Sequence, residues 1–140
     1  MQPPPVRSIQ CFLLCLMVIA IVLSCRETTS RLNEIGAQSS LRLIRKAEVI
    51  YRSRDGLGRF GTLPELYSSG LIDEELARGI KNGYRYELEV RSGAFTAIAT
   101  PIEYNVSGTW TFYLDESGVI RGHASKDKRP NVQDAPIRDQ

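Results

Sequence analysis

Thirteen consecutive residues, Cys11 to Leu23, carry no charge and almost no polarity. Water is a poor solvent for such a run, so it must be covered by protein, sunk in a bilayer or removed. As a helix it would span only ~20 Å at 1.5 Å per residue, short of the ~30 Å hydrocarbon core of a membrane. Its length falls within the roughly 7–15 residues of a secretory signal core. The run therefore predicts a signal peptide over residues 1–25, with a short uncleaved anchor over residues 9–25 as the alternative. Arg7 on the near side and polar residues on the far side orient the remainder outward.

The rest is ordinary soluble sequence. At 140 residues and 42% hydrophobic the chain has room for one modest domain, and its apolar content is too high for a disordered chain. A net charge of +2, with signs that alternate along the chain, excludes nucleic acid as a partner, because phosphate binding needs a dense basic stripe. One His argues against zinc sites and His-dependent catalysis. The three Cys are Cys11, Cys15 and Cys25, so no disulfide is expected after residue 25. Val22-Leu23-Ser24-Cys25 resembles the bacterial lipobox, although Leu23 departs from the small or β-branched residue usual there. The resemblance implies lipid attachment at Cys25, which would become the new N-terminus and hold the chain to membrane lipid by two or more acyl chains.

From Ser30 to Tyr51 apolar and small residues recur at helical spacing: Leu32, Ile35, Gly36, Ser39, Ser40, Leu43, Ile44, Ala47, Ile50 and Tyr51 share one face. Glu34, Gln38, Arg42, Arg45 and Arg52 take the other, and Glu48 precedes Arg52 by four, the favourable order for a helical ion pair. Asp55 to Gly61, with three glycines, reads as a loop rather than a phosphate cradle, because no Lys-Ser/Thr follows. Thr62-Leu-Pro-Glu65 is a capping box for a short helix ending near Gly70. A second short helix starts at Asp73 and ends at Gly79, and the acids Asp73, Glu74 and Glu75 read as caps.

Tyr84, Tyr86, Leu88 and Val90 then alternate with Arg85, Glu87, Glu89 and Arg91, the pattern of a strand with one buried and one wet face. Ser92-Gly93 predicts a tight turn, and Phe95 to Ile102 a second strand. Asn105 to Gly108 is a loop, Thr109 to Leu114 a third strand, and Asp115 to Gly118 a hairpin turn into a short strand opening at Val119-Ile120. Residues 123–140 are almost without apolar side chains and are expected to form a flexible polar tail. The predicted fold is α+β, a long N-terminal helix on a roughly four-stranded antiparallel sheet, with the domain at 26–122.

Asn33-Glu34, Ser40-Leu-Arg-Leu-Ile44, Ala47-Glu-Val-Ile-Tyr51, Phe60-Gly-Thr-Leu63, Leu71-Ile-Asp73, Gly83-Tyr-Arg-Tyr86, Phe95-Thr-Ala97, Pro101 and Phe112 to Arg121 follow one another in an order that resembles the type IV pilin and pseudopilin family. The resemblance covers about residues 32–122 and implies the same helix-on-sheet fold. The N-terminus departs from it. A prepilin carries a Gly before its cleavage point and a Glu at the fifth position of its apolar stretch, whereas Cys11 to Leu23 contains neither.

No catalytic residue, cofactor or metal ligand is assigned. Ser68, Ser69 and Ser117 lack a partnered base in sequence, and His123 stands outside any periodic element, as a solvated residue would. Tyr84, Tyr86, Trp110 and Phe112 alternate with charged residues or Thr, which marks a core face rather than a base-stacking platform, and Lys126, Lys128 and Arg129 read as a solvated basic patch. The expected function is that of a non-catalytic, membrane-anchored protein of the bacterial cell envelope, facing the periplasm or exterior. It would be a lipoprotein with a pilin-like domain that contacts envelope, pilus or secretion proteins. A minor pilin or pseudopilin of a type IV pilus or type II secretion system is one alternative, and a periplasmic enzyme or small-ligand binder is another.

Overall fold

The helical pattern of residues 30–51 is the lower half of a much longer element. In the computed structural model, which describes residues 6–137, α1 runs unbroken over Val6–Arg54. Residues 1–5 of the expected leader and 138–140 of the expected tail lie outside the described residues. No Gly or Pro stands between Val6 and Ile35 to interrupt the helical backbone. Two short helices follow, α2 (Leu63–Ser68) and α3 (Glu74–Ala77), and then the strands β1 (Ile80–Lys81), β2 (Tyr84–Arg91), β3 (Ala94–Pro101), β4 (Trp110–Asp115) and β5 (Arg121–Ala124). All are antiparallel neighbours in the order β1-β2-β3-β4-β5, so the fold is α+β with a five-stranded meander rather than four strands. The additional strand is the two-residue β1, too short to leave a period in the sequence.

The register places Tyr86 opposite Ala99, Leu88 opposite Ala97, and these two alanines opposite Phe112 and Leu114. Their side chains share one face of the sheet, and α1 lies on it. Ala97 and Ala99 are fully buried and small, which lets the helix approach the middle of the sheet closely while Tyr84, Tyr86, Phe112 and Leu114 fill the flanks.

The helix meets the sheet through Ala37, Ser40, Leu41, Ile44, Ala47, Glu48 and Tyr51, all buried. This stripe is turned by about one residue from the expected one. Leu32, Ile35 and Ser39 are exposed, while Ala37, Leu41 and Glu48 are inside. The expected Glu48–Arg52 surface pair is therefore corrected. Glu48 is 0% exposed, and its Oε2 accepts the Gly61 amide at 2.8 Å. Arg52 instead lies over the Phe60 ring, 4.9 Å from its centroid, and donates to the Gly58 carbonyl.

The 55–61 loop wraps the end of α1. A Cβ at Gly61 would stand 2.8 Å from the Tyr51 ring, so only glycine lets this backbone pass close enough to reach Glu48. Arg59 then bridges Tyr51 Oη at 3.1 Å and Glu65 at 2.8 Å. The Glu65 carboxyl is held down at about 2 by Arg59 first and by the Thr62 amide next. The Thr62–Glu65 capping box is present, and Asp73 caps α3 by accepting from the Leu76 amide at 3.0 Å.

The segment after residue 122 differs from the expected flexible tail. β5 continues to Ala124, and the chain then sets Arg129 against Glu87 and Glu89 of β2 and returns to β5. Gly122 donates to the Ala135 carbonyl, Ile137 donates to the Ile120 carbonyl, and Arg121 bridges Pro136. Asp134, only 7% exposed, organises the loop. It accepts from the Asn131 amide at 2.8 Å, Lys128 Nζ at 3.0 Å and His123 Nδ1 at 2.9 Å. Burial pushes its carboxyl up, but these three donors outweigh it and hold the group at about 2. Hydrogen bonds to one carboxylate thus replace the apolar contacts that the composition lacks.

Glu48 gives the fold a pH dependence. Burial, opposed by the Gly61 amide and reinforced by the negative charge of Glu65, raises its carboxyl to about 7. Its unfolded value is near 4.5. The protonated folded state is therefore favoured, and this contribution is complete below pH ~4.5 and lost as pH rises through about 7. Glu48→Gln keeps an acceptor for Gly61 and removes the charge. It is expected to raise stability at pH 8 by up to about 3 kcal/mol while changing it little at pH 5. Chemical denaturation of the full chain in detergent at the two pH values measures this, and an equal effect at both would refute it.

Candidate functional site

The upper half of α1 is the feature that the domain does not use. Leu13, Leu14, Leu16, Met17, Val18, Ile19, Ile21 and Val22 are all about half exposed or more. Among the described residues this is the one helix long and apolar enough to cross a membrane. Cys25, the residue singled out for lipid attachment, lies on the exposed surface of the same helix as a free thiol, as does Cys15. Around it the hydroxyls turn inward. Ser24 donates to the Ala20 carbonyl at 2.9 Å, Thr28 to Ser24 at 3.0 Å and Thr29 to Cys25 at 3.0 Å. A Ser or Thr that bonds its own helix in this way offers little polar surface.

The junction between this half and the domain is polar and specific. Asn33 Nδ2 donates to the Ser107 carbonyl at 2.9 Å. Glu34 Oε1 accepts from the Thr109 amide at 2.8 Å and the Trp110 amide at 3.3 Å. Tyr84 Oη donates to the Trp110 carbonyl at 2.9 Å, and burial pushes its hydroxyl far above the ordinary tyrosine value. A Cβ at Gly108 would lie 2.1 Å from that hydroxyl oxygen, so the turn must carry glycine there. These bonds fix the loop between β3 and β4 beside residues 33–34 of α1. The opposite turn, 115–118, packs near Arg45 through Gly118. The strands thus run along the helix, with the 102–109 loop at the end nearer the exposed apolar half of α1.

The other candidate residues are engaged elsewhere. His123, expected as solvated, is partly buried, with Nδ1 against Asp134 and Nε2 3.0 Å from the Lys128 carbonyl. Ser68 donates to the Pro64 carbonyl at 2.9 Å, Ser69 caps α2, and Ser117 bonds Asp115 within its turn. Tyr84, Tyr86 and Phe112 are buried in the core, and Trp110 alone of that set is exposed. Of the basic patch, Lys128 pairs with Asp134, and Arg129 pairs with Glu87 and Glu89 at 3.0 Å each. Among the described residues no His, Cys, Asp and Glu side chains gather as a metal site. An open hollow of about 380 Å³ lies at the far end of the domain, lined by Arg45, Val49, Arg52, Phe60, Phe95 and Glu116.

Glu34 and Asn33 were not legible as junction residues. A polar residue on a helix that is amphipathic elsewhere reads as solvated, and its partners lie more than 70 positions away. Glu48 did leave a signal, since it completes the spacing 37, 41, 44, 48, 51.

Comparison with family models, curated proteins and solved structures found no match to this chain. The helix-on-sheet architecture is compatible with the pilin-like fold implied by the ordered fragments.

Glu34→Ala removes the acceptor of two amides. It is expected to cost about 1–3 kcal/mol and to speed amide exchange at Thr109 and Trp110 selectively. Exchange measured by NMR or mass spectrometry checks this, and unchanged protection at both positions would contradict it.

Proposed function

We propose that this chain is a non-catalytic protein of the bacterial cell envelope, held in the membrane by its N-terminal segment. Its pilin-like domain faces the periplasm or exterior and acts through contacts with envelope, pilus or secretion proteins. One observation carries the reading: a single helix is exposed and apolar from Leu13 to Val22, yet packed into a folded domain from Ala37 to Tyr51. A bilayer suits the first half, and the domain holds the second.

Two modes of attachment fit. Val22-Leu23-Ser24-Cys25 supports lipid on Cys25, in which case the helix before it is removed. The second mode keeps the helix, as a minor pilin or pseudopilin would. It is favoured by the unbroken course of α1 and by the 18 uncharged residues from Ser8 to Cys25, bracketed by Arg7 and Arg26. At 1.5 Å per residue they span about 27 Å, close to a hydrocarbon core. Both modes leave residues 25–26 at the membrane surface.

Fractionation with fatty-acid labelling tests the reading. The full chain is expected in the membrane fraction, resistant to alkaline extraction. Label that is lost in Cys25→Ala assigns the lipid, and an unlabelled chain of full mass assigns the retained helix. Recovery of full-length protein in the soluble fraction would sink both.

A further inference from the structure

We infer that the β3–β4 loop, residues 102–109, with the adjoining Trp110, is a second membrane contact that seats the anchor end of the domain on the lipid headgroup layer. This inference rests on the proposed attachment at residues 25–26. Its first support is height. Leu32 stands six residues beyond Arg26, about 9 Å along the helix axis, and the headgroup layer is about 5–7 Å thick on each side. Asn33 and Glu34, about 10–12 Å along the axis from Arg26, clamp Ser107, Thr109 and Trp110 beside the helix just above that layer. β3 runs toward the anchor and β4 runs away from it, so the turn between them projects past the clamp toward the bilayer.

Its second support is chemistry. Ile102 is 51% exposed and Trp110 38%, with Tyr104 and Val106 partly exposed in the loop between them. Trp and Tyr prefer the membrane–water interface, where a ring can sit among headgroups with its polar edge wet. The strand turns at the opposite end of the sheet differ from this loop, although the 55–61 loop there also exposes Leu57 at 98%. The 92–93 and 115–118 turns carry Ser, Gly, Asp and Glu. Charge at this end is mixed, with Arg26, Glu27 and Arg31 on the helix and Glu103 in the loop, so apolar and aromatic side chains rather than charge would drive the contact. A helix tilt of about 20° lowers one side of the domain onto the bilayer without bending the backbone.

Trp110 is the only Trp in the chain, so its fluorescence reports on this loop alone. The full chain is reconstituted into vesicles of phosphatidylethanolamine and phosphatidylglycerol in equal parts. Flotation is scored first. Trp110 is then expected to emit at shorter wavelength than in the denatured chain and to be quenched by lipid brominated just below the headgroup. Quenching should be weaker with bromine at the bilayer centre and should persist in high salt. Ile102→Asp together with Val106→Asp, both in the loop, should still float but lose most of the lipid quenching. If the protein floats while Trp110 is quenched by aqueous acrylamide and not by brominated lipid, the loop contact is wrong and the anchor stands. Undiminished lipid quenching in the double variant likewise overturns the contact. A chain that fails to float removes the anchor and this inference together.

Discussion

Burial of one helical stripe, Ala37 to Tyr51, against the centre of a meander holds the domain together. Leu41, Ile44, Leu66, Leu76 and Leu114 are each removed almost wholly from water, at about 1.5–3 kcal/mol per side chain. With no disulfide available among the described residues, and Cys15 and Cys25 both on the exposed helix, this packing is the main source of stability. Ala97 and Ala99 set its geometry, because larger side chains at the middle of β3 would lift α1 off Phe112 and Leu114.

The seam between helix and sheet is closed by polar groups at its two ends. At one end Glu48 reaches the Gly61 amide and draws the glycine loop over Tyr51. At the other, Asn33 and Glu34 take hold of the loop before β4. Glu48 and Glu34 accept from backbone amides and Asn33 donates to a backbone carbonyl, so groups that would otherwise be left unpaired as the loops close on the helix find partners. The helix therefore dictates where two distant loops lie, and the sheet is stretched between them.

The elements with a strong local signal were legible in the sequence. The alternation at Tyr84 to Arg91 became β2, Thr62 and Glu65 formed their box, Asp73 capped α3, and Gly118 took the left-handed position of its turn. The apolar run and Cys25 also stood out, since hydrophobicity and a lone thiol need no partner to be noticed. What escaped was long-range. Glu48 sits in the buried stripe because a loop 13 residues away supplies its donor. The fold of residues 125–137 rests on Asp134 gathering donors, which composition cannot register. β1 exists only through its pairing with Tyr84 and Arg85.

The return of residues 135–137 to β5 has a bearing on how the domain meets its neighbours. An open strand edge invites another chain to add a strand. Here one outer edge is occupied by the chain's own Ala135 and Ile137, which bond Gly122 and Ile120. The other is partly covered by β1, and beyond it Glu87, Glu89 and Arg91 put charge at alternate positions. Both borders of the sheet are thus blunted against strand addition. A partner that approached this sheet would find side chains on the helix and the loops rather than an open backbone ladder.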